Sequence, residues 1–293
     1  MLETLESCPS CGHQSSQLYI KCKDFTVSKE EFQIVKCEKC TLLFTNPRPT
    51  SQDLAKYYKS EEYISHTNSA TNLIGIIYKT VRSIALRSKV KLINKVSTKG
   101  SLLDYGCGTG HFLGQAKSDG WDITGIEPSD SARANVHPYL SKNILDNINK
   151  LPDEAHFNVI SLWHVLEHIA DLRETLTQLA QKLTVGGKLI VAVPNPDSYD
   201  AQQYQEFWAA YDVPRHLYHF TQKSLAQLLE NMNLKIDFTQ PMKFDSFYVS
   251  LLSEKYKHGK ANYLKSLING YKSNSYAKYN NNYSSLIYII SKR

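Results

Sequence analysis

Three glycines at alternate positions, Gly106, Gly108 and Gly110, follow an acid, Asp104, at the end of the apolar pair Leu102-Leu103. A buried strand ending in such a turn lets a ligand lie directly on the backbone, because glycine has no Cβ and takes positive φ readily. A second acid, Glu127, stands at the end of the next apolar run, residues 121–126. A carboxylate there can accept hydrogen bonds from two ribose hydroxyls. A glycine turn alone would serve equally well as a bare structural turn. The strand–turn–helix pattern joined to a strand–acid pattern points to a nucleoside-containing cofactor. The spacing is G-x-G-x-G, which departs from the G-x-G-x-x-G of nicotinamide enzymes.

Four of the six cysteines form two C-x-x-C pairs, Cys8 with Cys11 and Cys37 with Cys40. Two such knuckles offer four thiolates at tetrahedral reach, which suits Zn²⁺ in a closed structural site. Neither pair opens a helix after a strand, which argues against redox use. Cys22 and Cys107 are left over and fit small apolar fillers. Two histidine-bearing segments complete the chemical inventory. Residues 163–168 read Trp-His-Val-Leu-Glu-His, and residues 214–220 read Pro-Arg-His-Leu-Tyr-His-Phe. The first matches the inverted zinc-protease pattern H-x-x-E-H, but it directly follows a predicted buried strand, whereas that pattern needs a long helix. In the second, His216 and His219 have i, i+3 spacing beside a proline. Histidine is the side chain best suited to move a proton near neutral pH, while Arg215 and Tyr218 could bind an acidic group.

The elements that must position these residues alternate. Strands are predicted at 101–105, 121–126, 142–145, 157–162 and 188–193, with helices at 111–118, 130–136 and 172–183 between them. Asp171 reads as an N-cap and Gly186-Gly187 as a stop. Such alternation predicts an α/β fold, a doubly wound parallel sheet covered on both faces. A helix at 223–231, a strand at 235–238 and a strand at 285–290 follow. Residues 240–284 read as two helices and then a Tyr- and Asn-rich loop at 274–283. Ahead of the sheet, residues 21–35 alternate like a hairpin between the cysteine pairs. Residues 46–50, Asn-Pro-Arg-Pro-Thr, make a stiff exit. Helical pieces are expected at 53–58 and 73–96. The second has Leu73, Ile77, Val81, Ile84 and Ile93 near helical spacing, and its lysines are expected in water.

The 293 residues, 42% hydrophobic, suffice for one large core and an appendage. No apolar run approaches the ~18 residues needed to span a bilayer, so no membrane partner is expected. The first residues lack a basic flank and a long apolar stretch, so no secretory signal is read there. With six cysteines, this leads us to expect a reducing, cytoplasmic compartment. From Lys235 onward ten Lys and Arg stand against three Asp and Glu, a balance of +7 in a chain of net charge +6. The remainder is therefore close to neutral, and the basic tail is read as a solvated face before a phosphate-binding one.

The run Asp-Tyr-Gly-Cys-Gly-Thr-Gly resembles the first motif of class I S-adenosylmethionine-dependent methyltransferases. The order C-x-x-C, C-x-x-C, Asn-Pro-Arg-Pro, glycine motif, Val-Leu-Glu-His and Pro-Arg-His-x-x-His-Phe is similar to bacterial methyltransferases with an N-terminal zinc ribbon. Some of these act on nucleotide-linked sugars. The core alone is similar to the ubiquinone-biosynthesis O-methyltransferases. The resemblance implies a Rossmann-like seven-stranded sheet with an antiparallel final pair. It divides the chain into a zinc-ribbon-like unit (1–50), a helical lead-in (51–99), a cofactor-binding core (100–239), a helical insertion (240–284) and a final core strand (285–293). It implies that Asp104, Gly106, Cys107, Gly108 and Gly110 line the methionine end of S-adenosylmethionine, that Glu127 holds its ribose and that Asp146 lies beside the adenine. Trp163 and His164 would lie nearest the methyl group, with His216 and His219 as further catalytic candidates. Glu167 and His168 are read as structural, and Cys8, Cys11, Cys37 and Cys40 as zinc ligands. Asn158 stands where the family has an acid before the fourth strand, which puts that acid's role in doubt.

The resulting expectation is methyl transfer to a small-molecule acceptor, a sugar or nucleotide sugar. The rivals are an RNA methyltransferase, a non-enzymatic zinc-ribbon module on a degenerate fold and, more distantly, a dehydrogenase.

Overall fold

Alternation of apolar side chains along short strands builds the central sheet. In β6 (Ser101–Tyr105), Leu102 and Leu103 enter two different apolar cores, as successive residues of a strand must. The same split recurs at Val159 and Ile160 of β9 (Phe157–Trp163), and at Leu189 to Val193 of β10 (Leu183–Pro194). The computed structural model describes residues 1–58 and 73–293, the stretch 73–80 through its backbone alone. The expected lead-in over 51–99 thus lies partly outside the described residues, as do the side chains of Leu73 and Ile77.

The sheet has seven strands. With β7 (Asp122–Ile126), β8 (Ile144–Leu145), β12 (Leu234–Pro241) and β13 (Ser285–Lys292), the order is β12-β13-β10-β9-β6-β7-β8. The strands β8, β7, β6, β9 and β10 run parallel, and β13 is antiparallel to both of its neighbours. One face is covered by α1 (Leu73–Val96) and α2 (His111–Ser118), through Val90, Ile93, Phe112, Leu113 and Ala116. After β7, α3 (Asp130–Ala134) starts at Ser129, whose hydroxyl accepts from the Ala132 N–H. The other face is covered by α4 (Leu172–Gln181) and α5 (Gln222–Glu230), through Leu176, Leu179, Leu225 and Leu228. This is the doubly wound arrangement that the alternation predicts.

The amino-terminal part forms its own sheet. A hairpin of β2 (Ser16–Lys23) and β3 (Glu31–Cys37) carries β4 (Leu43–Thr45), and β1 (Leu2–Glu3) pairs with β5 (Arg48–Pro49). The fourth strand of that sheet, β11 (Tyr218–His219), comes from the histidine-rich segment far along the chain. Cys8, Cys37, Cys40, Leu42 and Phe44 join the same apolar cluster as Leu162, Leu217 and Leu225.

Several expectations need correction. Gly186-Gly187 does not stop a helix: α4 ends at Gln181, and the glycines lie inside β10, whose pairing with β9 shifts register between Leu183 and Lys188. Asp171 stands at the N-cap position of α4 as expected, but its side chain accepts no capping bond. Residues 142 and 143 end a 3₁₀ turn, leaving only Ile144–Leu145 as strand. The loop expected at 274–283 is largely helix. In the insertion, α6 (Asp245–His258) packs on α7 (Tyr263–Asn280), with Ser266, Ser273 and Ala277 buried. Gly270 permits this approach, since a Cβ there would lie 2.5 Å from the Phe247 ring. Lys89 on α1 does not point into water but sits 4.4 Å from the Trp163 ring centre.

Candidate cofactor and active site

The glycine turn hangs from the neighbouring strand. The Gly106 and Cys107 N–H groups donate to the Ile126 carbonyl at 2.7 and 3.0 Å. All three glycines of the turn have positive φ, and their surroundings differ. A Cβ at Gly106 would lie 2.5 Å from Val165 Cγ2, so packing and conformation both demand glycine. Among the described residues, a Cβ at Gly108 would meet nothing within 4 Å, so the backbone there is open to them. Glu127 turns into this loop. Its Oε2 accepts from the Gly108 N–H at 2.8 Å and its Oε1 from the Ser129 N–H at 2.9 Å. A carboxylate has about four lone-pair sites, so two bonds leave capacity for more.

Asp104 lies under the loop, 3% exposed, and accepts from the Ser161 hydroxyl at 2.7 Å. Burial pushes its carboxyl up to about 7, against the Ser161 bond and the Lys89 charge. Cys107 packs its sulfur where a Cβ at Gly125 would come within 2.7 Å, and burial holds its thiol protonated. At the far end of the loop, Asp146 pairs with Lys150 through Oδ2 at 2.8 Å, while its buried Oδ1 has no partner among the described residues. Trp163 stands edge-on to Phe112, with centroids 5.4 Å apart, and its buried indole N–H likewise has no partner among the described residues. A backbone cradle, a carboxylate facing it and two orphaned polar atoms beside it fit an elongated nucleoside cofactor with polar groups along its length.

Beyond β9 the chain turns through His164, at φ +57°, into a 3₁₀ turn, Leu166–His168. The His164 Nε2 lies 3.0 Å from Asp245 Oδ2 and its Nδ1 lies 3.4 Å from Glu167 Oε1. Burial would lower this imidazole, but the two carboxylates outweigh it and raise it to about 10. His164 therefore carries a proton at neutral pH. The turn brings His168 and His216 against Glu167. The His168 and His216 rings stand edge to face, with centroids 4.6 Å apart. His219 lies deeper, 3% exposed, with Nε2 3.3 Å from the Thr45 hydroxyl. Burial, then the nearby His216 charge, depresses it well below the usual range.

The histidine-rich segment is pinned by the amino-terminal sheet. Arg215, 1% exposed, donates to Asp24 at 3.0 Å and to Asp212 at 2.6 Å. Arg48 donates to the Tyr218 hydroxyl at 3.0 Å, and that hydroxyl donates to the Ala170 carbonyl at 2.8 Å. Sequence reasoning missed Asp24, Lys89, Gly125, Ser161 and Asp245. Only Asp245 carried a signal, as an acid opening a helix.

Cys8, Cys11, Cys37 and Cys40 converge as expected. Cys8 and Cys40 sulfurs are 3.4 Å apart, Cys11 and Cys37 sulfurs 3.6 Å, and all four lie within 4.8 Å of one another. Zn–S bonds of about 2.3 Å put tetrahedral sulfurs about 3.7 Å apart, so the cluster fits that ion. Cys22 is a filler: burial pushes its thiol up to about 12.

A family model described as a methyltransferase domain matches residues 80–237. A ubiquinone biosynthesis O-methyltransferase of Rickettsia typhi is 26% identical over 149 residues, covering 48% of this chain and 61% of that protein. An uncharacterized methyltransferase of Staphylococcus carnosus is 20% identical over 169 residues, covering 53% and 80%. The chain thus spans less than two thirds of the Rickettsia relative's length. In fold it is similar to the magnesium protoporphyrin IX methyltransferase of Synechocystis PCC 6803 solved with bound SAH. The TM-score is 0.54 at 13% identity, covering 83% of this chain and 100% of that one. The match to residues 80–237 takes in the glycine cradle, Glu127 and the turn after β9, and by it the chain belongs to the family of methyltransferase domains.

Proposed function

We propose that the chain transfers a methyl group from S-adenosylmethionine to an oxygen of a small polar acceptor, a sugar or nucleotide sugar. The observation that carries the reading is the Glu127 carboxylate turned into a glycine loop that the described residues leave open at Gly108. The choice of oxygen is supported by the relatives named as O-methyltransferases. S-adenosylmethionine supplies a methyl group already activated on a sulfonium. The chain's residues then need to align the acceptor and handle its proton.

Glu127 would accept from the ribose hydroxyls, and the Asp146 Oδ1 and Trp163 N–H would find partners on the nucleoside. Ionised Asp104 would favour the positive charge of the methionine end. His164, protonated between Asp245 and Glu167, directs both ring N–H groups at carboxylates, so it would set a positive charge beside the acceptor rather than donate to it. His216 and His219, carried on the segment that meets the turn after β9, would be further candidates. The four cysteines would hold Zn²⁺ in a closed structural site with no open position for chemistry. Among the described residues, no helix is long and apolar enough to cross a membrane.

Incubation of the full chain with S-adenosylmethionine and panels of sugars, nucleotide sugars, phenols and short RNA tests the reading. Release of S-adenosylhomocysteine with a sugar-type hydroxyl acceptor is expected. Turnover confined to RNA, with steep salt dependence, would contradict it.

A further inference from the structure

Glu167 is 1% exposed, and neither of its carboxylate oxygens has a hydrogen-bond partner among the described residues. An ionised carboxylate taken out of water costs several kcal/mol unless a cation or good donors hold it. The His164 imidazolium is shared with Asp245, which it meets at the shorter distance of 3.0 Å, and at 3.4 Å it faces only one of the two Glu167 oxygens.

What surrounds the carboxylate is a ligand set. One atom each from Glu167, His168 and His216 lie within 4.8 Å of one another. Each imidazole is oriented from its far side. His168 Nδ1 is 3.0 Å from the Arg215 carbonyl and 2.9 Å from the Tyr58 hydroxyl. His216 Nδ1 is 2.9 Å from the Ala210 carbonyl. An Nδ1–H given to a carbonyl fixes the tautomer that leaves Nε2 with its lone pair, the arrangement that holds metal-ligating histidines in place. The two strands of backbone that carry these residues are tied together, because the Leu217 N–H donates to the Glu167 carbonyl at 2.8 Å.

We propose that Glu167, His168 and His216 form a second metal site, distinct from the four cysteines, that takes a divalent transition-metal ion. Two imidazoles and one carboxylate suit Zn²⁺, Co²⁺, Mn²⁺ or Fe²⁺ better than a thiolate-seeking or all-oxygen ion. Bonds of about 2.0–2.2 Å put tetrahedral donor atoms about 3.4 Å apart, so the side chains close around an ion by small rotations. Three protein ligands leave at least one position open, unlike the closed cysteine site, and that position takes water or an oxygen of a small molecule. The site shares Glu167 and His216 with the surroundings of His164, but none of its ligands is a cofactor-loop residue, and metal content is read without turnover.

The test uses the full chain. After dialysis against Zn²⁺ at neutral pH and removal of loose metal, two zinc ions per chain are expected for the wild type and one for Glu167→Gln. The variant should hold the second ion at least about 100-fold more weakly. Co²⁺ added to a chain whose cysteines already hold zinc should give weak visible ligand-field bands without thiolate charge transfer. His164→Gln removes the competing partner of Glu167 and should keep the second ion. One ion in the wild type, or two in Glu167→Gln, would overturn the proposal. If Glu167→Gln does not fold, the wild-type Co²⁺ titration decides alone: no bands, or only thiolate bands, overturn it.

Discussion

Gly106 and Gly108 separate two reasons for a glycine. At Gly106 a side chain collides with Val165, whereas at Gly108 only the positive φ and the space left open by the described residues count. Gly108→Ala should therefore fold, losing about 1–2 kcal/mol for the left-handed backbone. It should nonetheless bind S-adenosylmethionine at least about tenfold more weakly, because its methyl enters the cradle. Thermal unfolding and calorimetric titration of the same sample separate the two effects. Asp104 gives a pH signature. Its carboxyl is raised from the usual 3.8 to about 7. Across that window the folded chain holds a proton that the unfolded chain lacks, so this group's contribution to stability falls as pH rises. A cationic ligand favours the ionised form, so affinity for S-adenosylmethionine should rise with pH through about 7, and Asp104→Asn should flatten the profile. Calorimetry across pH checks both.

These two residues were legible in the sequence because the glycine turn and its flanking acids are written in adjacent positions. Asp245 was not. Its meaning comes from His164, which it follows only after the strands β10, β11 and β12 and the helices α4 and α5 in chain order. The Glu167 environment was equally hidden. H-x-x-E-H needs a long helix to pair its histidines, and after a strand Glu167 and His168 read as structural; the chain folds them into a 3₁₀ turn and imports His216 from elsewhere.

At the scale of elements, β11 decides how the histidine segment is held. It pairs with β4 in register Tyr218 to Phe44 and His219 to Leu43, and the Arg215–Asp24–Asp212 cluster locks its approach. The Arg215 charge, against the cost of burial, holds the Asp24 carboxyl well below the usual range. Removing Arg215 takes away the cation, although the Thr26, Val27 and Ser28 N–H groups still donate to the buried carboxylate, so Arg215→Met should cost about 3 kcal/mol in denaturant unfolding. The double variant with Asp24→Asn should recover part of the loss. Neither β11 nor this cluster was readable from spacing, since two residues make no periodic signal. The α7 helix was misread for a different reason. Ser, Asn and Tyr are poor helix formers in isolation, yet Ser273 donates to the buried Asp200 carboxylate at 2.6 Å and Ala277 packs beneath it. Tertiary contacts decided that segment. The parallel strands were read well because buried apolar runs bounded by turns are local.

For the molecule as a whole, the cysteine unit is not an appendage. Its sheet is completed by β11 and its apolar residues share the core of the α/β sheet. Breaking the proposed zinc site with Cys37→Ser should therefore loosen the histidine-rich segment at 214–220 as well as residues 1–50. Hydrogen exchange should show lost protection at both β4 and β11, with β6 and β9 unchanged. Loss confined to the amino-terminal residues would contradict this coupling.

The central claim is that the cradle at 106–110 and the acid beside it bind a nucleoside cofactor. Calorimetric titration of the wild type and Glu127→Ala with S-adenosylhomocysteine tests it most directly. One equivalent bound by the wild type, and affinity lowered by about 10- to 100-fold in the variant through lost charge-assisted hydrogen bonds, is the predicted result. No heat with the wild type, or equal affinity in the two proteins, would contradict it.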